Sequence, residues 1–304
     1  MALATGSGHW LAIVNIAAGA GRTARAWPQL KEALAAAGVS AESDMTRGQG
    51  HATELASRGY ARGVRRFLAV GGDGTLHEVL NGIGDGTERC AIAAAPLGTA
   101  NDWARGLGIP RSPVAIAAML RAEHRLACDV GLAEFASAGE HRRRRFINVA
   151  GAGYDAFVLE RLPRRGPQRL RYLWALASNL TAYRPPLFRV ECDGRSFEER
   201  LLVAFAALGR YCGGGLEFAS DASPSDGLLD LVAIKAIGPL AVLARLPKAY
   251  GGRIAKDPVA ITGRGPSVLI DADRPTGVEA DGQLLGTTPC ALRVLPGAID
   301  AVVP

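Results

Sequence analysis

Aromatic residues are scarce: Phe, Tyr and Trp make up 6% of the 304 residues. No basic stretch is interleaved with them, which argues against a stacking, phosphate-gripping surface for nucleic acid. Cysteine is sparse as well. Cys90, Cys128, Cys192, Cys212 and Cys290 are scattered, odd in number and never at metal-ligand spacing. That excludes a disulfide framework and predicts reduced, mostly buried thiols of a cytoplasmic protein. No apolar run approaches the ~18 residues of a membrane span. The best candidate, 228–246, carries Asp230, Lys235, Pro239 and Arg245. No charged segment leads into an apolar one at the start, so no signal peptide is expected. Gly-Lys-Ser and Gly-Lys-Thr are both missing, so any phosphate site must work without a Walker A lysine.

What the chain has is hydrophobic content, 48%, and glycine, 38 residues. Lys and Arg exceed Asp and Glu by 35 − 29 = 6. The length allows one large or two medium domains, and the mild basic excess suits anionic ligands or lipid headgroups. The glycines gather behind strands. Gly71-Gly72-Asp73-Gly74-Thr75 follows the apolar run 67–70 and precedes a helix-forming stretch containing Glu78 and Asn81. A glycine turn between strand and helix brings backbone close to a phosphate, and the positive helix end then holds it. Two further strands end alike. Asn15, with Gly19 and Gly21 beyond it, follows 10–14, and Pro96-Leu97-Gly98-Thr99-Ala100-Asn101-Asp102 follows 91–95. Ligands of parallel α/β sheets bind outside the carboxyl ends of the strands, so three such loops predict a nucleotide site.

Strands 10–14, 40–44, 67–70 and 91–95 alternate with helices at 28–37 (Pro28 in its first turn), 51–60, 76–83, 100–107 and 113–122. This predicts an open, mostly parallel sheet with helices on both faces. After residue 126 the pattern turns to strands at 125–132, 145–149, 187–192, 201–208, 229–234, 267–270 and 291–294, with helices at 168–182 and 239–250. The reading is an α/β nucleotide-binding domain over 1–126, a β-rich domain over 127–294, and a return of 295–304 to the first.

The Gly-Gly-Asp-Gly-Thr turn and the Pro-Leu-Gly-Thr-Ala-Asn-Asp segment with Arg105 resemble the diacylglycerol kinase catalytic family, in its soluble bacterial lipid-kinase branch. The resemblance continues through Asp129, Phe146-Ile147-Asn148, the segment from Gly151 to Ala156, and Ser225-Asp226-Gly227-Leu228. It shares a superfamily with sphingosine kinases and NAD kinases. It implies a β-sandwich-like second domain and an active site in the cleft between domains. It implies ATP lined by Asn15, Gly19, Thr46, Gly71, Gly72, Asp73, Gly74, Thr75, Glu78, Thr99, Asn101 and Asp102. From sequence alone Thr46 reads first as an ordinary helix cap, and Asp73 equally well as the cap of its own helix. Mg²⁺ is implied on the Asp226 carboxylate and the carbonyls of Ser223 and Leu228, linked through water to Asp102 and Asp129. A single carboxylate suits an ion that keeps most of its waters. The family pairs two aspartates here, where this chain has Ser225 before Asp226.

Arg105 is expected to face the cleft and bind phosphate. Arg164 and Arg165 fall where the family carries basic residues. The run 142–145 of four arginines reads as a solvated hairpin tip, or as a contact for anionic headgroups. Gly213-Gly214-Gly215 reads as a close-packing device. The presumed base of the family lies in an Asp-Gly-Glu segment that here reads Asp281-Gly282-Gln283, so that role cannot pass to Gln283. Asp73 and Asp281 are the candidate bases. Asp281 is expected on the same strand face as Gln283.

These readings converge on a cytoplasmic, ATP- and Mg²⁺-dependent kinase of diacylglycerol or a related glycerolipid. It would touch the inner membrane face peripherally and transiently, and it has no nucleic-acid partner. Homodimer formation stays open. The alternatives are a kinase of a soluble alcohol and a silent nucleotide- or lipid-binding protein.

Overall fold

Every residue of β1 (Trp10–Val14) is buried, as a strand covered on both faces must be. β1 lies between β2 (Ala41–Met45) and β3 (Arg66–Gly71), and β3 is followed in the sheet by β4 (Ala91–Pro96); all three pairings are parallel. The computed structural model describes residues 9–84, 89–162 and 174–304. It divides the chain into two units, Met1–Cys128 with Gly297–Pro304, and Asp129–Pro296.

In the first unit, Val14 is level with Val70, and Val70 with Ala95. This register makes β1, β3 and β4 end along one edge, with their three glycine-bearing loops side by side. Helices α1 (Arg22–Ala36), α2 (His51–Ala61), α3 (Asp73–Gly82), α4 (Asp102–Gly106) and α5 (Pro113–Ala122) make the crossovers. The expected helix starting at Pro28 begins six residues earlier, and Pro28 sits inside it. The cause is the turn before it. Gly19, Ala20 and Gly21 take positive φ (62°, 56° and 80°), which swings the chain directly into α1. Thr23, Trp27, Leu30 and Leu34 then form its buried stripe.

The second unit is antiparallel. β5 (His124–Ser137) crosses the boundary and pairs with β6 (Glu140–Phe146). β7 (Val149–Gly153), α6 (Tyr154–Glu160), β8 (Leu187–Cys192) and β9 (Arg195–Ala207) follow. The strand expected over 145–149 is therefore the end of β6 and the start of β7, broken at Ile147-Asn148. The four arginines at 142–145 are not a hairpin tip. They lie along β6, and the tip is Ala138-Gly139, both at positive φ. Beyond the short pair β10 (Tyr211–Cys212) and β11 (Leu216–Glu217) come β12 (Leu229–Lys235), α7 (Pro239–Tyr250), β13 (Ala260–Gly265), β14 (Ser267–Ala272), β15 (Gly277–Ala280) and β16 (Gln283–Val303). The first half of β9 pairs with β8 and its second half with β7 and β12, so one strand serves two sheet surfaces around a shared apolar core. Gly213, Gly214 and Gly215 form the β10–β11 turn with φ of 59°, 88° and 109°. A Cβ on Gly214 would meet nothing, so the turn, not close packing, requires glycine there. Arg164, Arg165 and residues 168–173 of the helix expected at 168–182 lie outside the described residues; of the remainder, 174–178 are helical. No described helix is long and apolar enough to cross a membrane.

Candidate functional site

The turn after β3 is built by backbone contact. A Cβ on Gly98 would fall 2.3 Å from Gly72 Cα, and one on Gly71 would fall 2.4 Å from Thr75 Oγ1. The N–H of Gly98 donates to Gly71 O at 2.7 Å. Only glycine lets the β3 and β4 loops touch in this way. Gly72 caps α3 with extended φ and ψ, and no side chain caps that helix. A helix start leaves its first N–H groups without intrahelical partners, here beside Asp73 and the exposed Gly74. Asp73 is not the cap of its own helix. Its Oδ1 accepts the N–H of Trp103, in the first turn of α4, at 3.4 Å.

Asn15 at the end of β1 donates Nδ2 to Thr75 Oγ1 at 3.1 Å, tying two of the three loops together. Asn15 and Thr46 line a cavity of about 820 Å³ with Ile16, Arg47, His51 and Arg58 among its other walls. The N-cap of α2 is Gly50, not Thr46. Glu78 is buried and engaged: its two oxygens accept the N–H groups of Gly50 (2.9 Å) and Ala52 (3.1 Å) at the start of α2. A carboxylate there also complements the helix dipole. Glu78 thus fixes α2 beside the cavity and is not among its lining residues.

In the β4 loop, Asn101 is buried with φ 54° and donates Nδ2 to the carbonyls of Pro96 (3.2 Å) and Gly98 (3.0 Å). Asp102 is buried in the first turn of α4, and Arg105, partly exposed, has Nε 3.9 Å from Asp102 Oδ1. Sequence reasoning missed Arg22. Its Nη2 donates to Gly98 O at 2.9 Å and its Nε to Gly19 O at 3.0 Å, and Thr99 Oγ1 lies 3.5 Å away. Its signal was a lone cation directly after a glycine loop. A Cβ on Gly19 would collide with Leu97 O at 2.5 Å, so glycine is needed there too.

In the second unit, the ligand set expected for Mg²⁺ is not open. Asp226 Oδ1 accepts the N–H of Leu228 at 3.0 Å, and Oδ2 is hydrogen-bonded by the Arg264 guanidinium. Asp129, buried, accepts the N–H of Gly227 at 2.7 Å and donates its own N–H to Pro224 O at 2.7 Å. Ser223 Oγ lies 3.5 Å from Ser225 Oγ. With both of its oxygens engaged by the chain's own donors, the Asp226 carboxylate does not fit a resident ion. Burial raises the Asp230 carboxyl above its ordinary value, and Arg264 opposes that rise.

Asp281 does not share a strand face with Gln283. Asp281, at φ 48°, and Gly282 form the turn between β15 and β16. The Asp281 carboxylate accepts the N–H groups of Ile147 (2.9 Å), Asn148 (3.0 Å) and Val149 (3.2 Å), satisfying the backbone where β6 breaks into β7. That is an anchor, with its lone pairs directed at backbone. Gln283 opens β16, half-buried. Nearby, Asp155 and Glu279, both buried, face each other. Burial pushes the Asp155 carboxyl up to about 6, with the Glu279 hydrogen bond opposing; burial, then the Asp155 charge, raises Glu279 well above the usual range. Two facing carboxyls hydrogen-bond only while one keeps its proton.

Three glycine loops thus lie at one edge of a parallel sheet, followed in the chain by a β-sandwich-like unit. A diacylglycerol kinase catalytic domain matches residues 9–133, and the YegS C-terminal NAD kinase beta sandwich-like domain matches residues 148–303. The second match covers more than half of the chain, and the chain belongs to this family of diacylglycerol and YegS-like lipid kinases, ATP-dependent phosphotransferases. It is 29% identical over 282 residues to a diacylglycerol kinase of Bacillus subtilis, covering 91% of this chain and 90% of that one. A crystal structure of a diacylglycerol kinase from Bacillus anthracis superposes with a TM-score of 0.75 at 25% identity, covering 98% of this chain and 97% of that one. Yeast NADH kinase, at 10% identity, covering 97% of this chain and 83% of that one, shares the fold with a TM-score of 0.56.

Proposed function

We propose that the chain transfers the γ-phosphate of ATP, supplied as its Mg²⁺ complex, to a hydroxyl of diacylglycerol or a related glycerolipid. The observation that carries this reading is the Gly71-Gly72 turn pressed against Gly98, beside the cavity lined by Asn15 and Thr46. The cavity has room for a nucleoside, and the turn and α3 offer backbone donors for its phosphates. Arg22 and Arg105 supply positive charge at the same edge. Asp73 is the carboxylate of the phosphate turn and our candidate base, because the lone pairs of Asp281 are committed to backbone. Phosphoryl transfer depends mainly on positioning and charge stabilisation, so Gln283 is compatible with an active enzyme.

The acceptor class is supported by the family and by the Bacillus relatives, which are diacylglycerol kinases. A lipid acceptor requires contact with a membrane surface. The exposed Arg142 and Arg143 on β6 suit anionic headgroups, each basic residue near such a surface contributing about 1 kcal/mol. The test is transfer of radiolabel from ATP to a total lipid extract, with soluble alcohols in parallel. Label in a phosphorylated glycerolipid is expected. Label only in a soluble alcohol would move the chain to that substrate class, and ATP binding with no transfer to any acceptor would reduce it to a binding protein.

A further inference from the structure

The register of β12 and β13 sets Arg264 directly opposite Asp230. From there its Nε lies 3.5 Å from Asp230 Oδ1, and its Nη2 reaches across to Asp226 Oδ2. The remaining Asp226 oxygen is held by the N–H of Leu228 at 3.0 Å. Asp129 grips the other side of the loop through Pro224 O and the N–H of Gly227, both at 2.7 Å. Both oxygens of the carboxylate expected to hold the ion are therefore already engaged by the chain. A divalent ion at Asp226 would have to displace a guanidinium held between two carboxylates.

We propose that Arg264 is the built-in cation of the 223–228 loop, a positioning residue that does by a fixed side chain what a bound divalent ion would otherwise do there. The charge balance supports it. Asp226 and Asp230 both contact Arg264, and Asp221 lies within electrostatic reach of Asp230. With Arg264 the group is neutralised in part, the planar fork hydrogen-bonding Asp226 and pairing with Asp230. Without it, neighbouring carboxylates repel, and the vacated position offers an Asp oxygen to a hydrated Mg²⁺ or Mn²⁺. A serine at 225 keeps the loop to a single carboxylate, within what one guanidinium can balance. An enzyme so arranged needs divalent metal only as the partner of its nucleotide. The charge balance of the loop is the same whichever acceptor is phosphorylated.

The experiment is Mn²⁺ titration of nucleotide-free protein, followed by the loss of the free-ion electron paramagnetic resonance signal, together with thermal unfolding in EDTA and in Mg²⁺. Wild type is expected to show no site that depends on Asp226 and the same unfolding midpoint in both solutions. Arg264→Ala should bind Mn²⁺ at least about tenfold more tightly, near 1.4 kcal/mol, and should unfold lower in EDTA than in Mg²⁺. Adding Asp226→Ala to it should abolish both changes, and Arg264→Lys, which keeps the charge but loses the fork, should gain less Mn²⁺ affinity than the alanine variant. Arg264→Gln, close in length but uncharged, repeats the alanine test with less loss of packing. A wild-type Mn²⁺ site removed by Asp226→Ala would overturn the proposal, whether or not the Arg264 variants fold. So would alanine and glutamine variants that fold and gain no metal affinity.

Discussion

Asp155→Asn should stabilise the second unit at neutral pH, although it removes a buried, hydrogen-bonded carboxyl. In the folded chain burial pushes Asp155 from its ordinary 3.8 to about 6, and Glu279 is raised well above its own range. For an acid whose pKa is raised by folding, the folded state holds the proton more tightly than the unfolded one. Stability is then greatest below the unfolded value and falls as pH rises through the folded value. Raising that pKa to about 6 corresponds to about 3 kcal/mol lost by the time Asp155 is fully ionised. Both side chains are buried, so water does not screen the effect.

Asparagine keeps the shape, donates Nδ2 to Glu279 in place of the shared proton, and carries no charge. Against this gain stands the position of Asp155 in the first turn of α6, where a negative charge contributes about 0.3–1 kcal/mol through the helix dipole. Relief of the buried charge outweighs that loss, leaving a net gain of about 2 kcal/mol near pH 8, or roughly 4–8 °C in midpoint for a unit of this size. Thermal unfolding followed by circular dichroism, wild type against variant, from about pH 8 to about pH 4, reads it directly. The difference should shrink as pH falls and vanish or reverse near the acid end. A variant less stable than wild type at pH 8, by an amount that does not change with pH, would refute the idea of a shared proton.

Gly72→Val places a branched side chain whose Cβ would stand 3.3 Å from Gly98 Cα, and φ there is −116°, so the backbone tolerates it. ATP binding by calorimetry should weaken by at least about tenfold with the fold intact, and unchanged affinity would remove the phosphates from this turn. Asp73→Asn keeps nearly the same volume and its contact with Trp103. It should spare ATP binding but lower kcat by about 10²-fold or more if the carboxylate is the base; an unaltered kcat would leave Asp73 as a support for α4 alone. Gln283→Glu should leave the rate unchanged or lower it, because a second carboxylate at the position of the family's base adds repulsion toward the phosphoryl group while Asp73 accepts the proton. A faster variant with a new acidic limb in its pH profile would show instead that the base position is simply vacant in the natural chain.

The parts of the molecule legible in its sequence are those whose cause is local. β1, β3 and β4 are apolar runs bounded by glycine loops, and the glycines at 19, 71 and 98 are demanded by close contacts within and between those loops. Even here Pro28 reads as a helix start, because proline favours a first turn and nothing local says that three positive-φ residues begin α1 sooner. The carboxylates expected as site residues share a different feature. Glu78, Asp281 and Asp226 each resembled a ligand for ATP, a proton or a metal. Each is held by backbone N–H groups or by an arginine that only the fold brings near.

A carboxylate at a helix start or a broken strand satisfies the same electrostatic need as one that meets a cation, so residue type and spacing cannot separate the two uses. What separates them is register. Arg264 meets Asp226 because β13 pairs with β12 at Asp230, and Asp281 meets Ile147 because β15 pairs with β7 through Ala280 and Ala150. The pairing between strands, not the motif, decides which of the acidic residues in this chain are available for chemistry. By that criterion Asp281 is the poorer base: its carboxylate accepts three backbone N–H groups at 2.9–3.2 Å, and a proton arriving there would compete with all three. Asp73, the base proposed above, accepts the Trp103 N–H at 3.4 Å, longer than any of those three contacts.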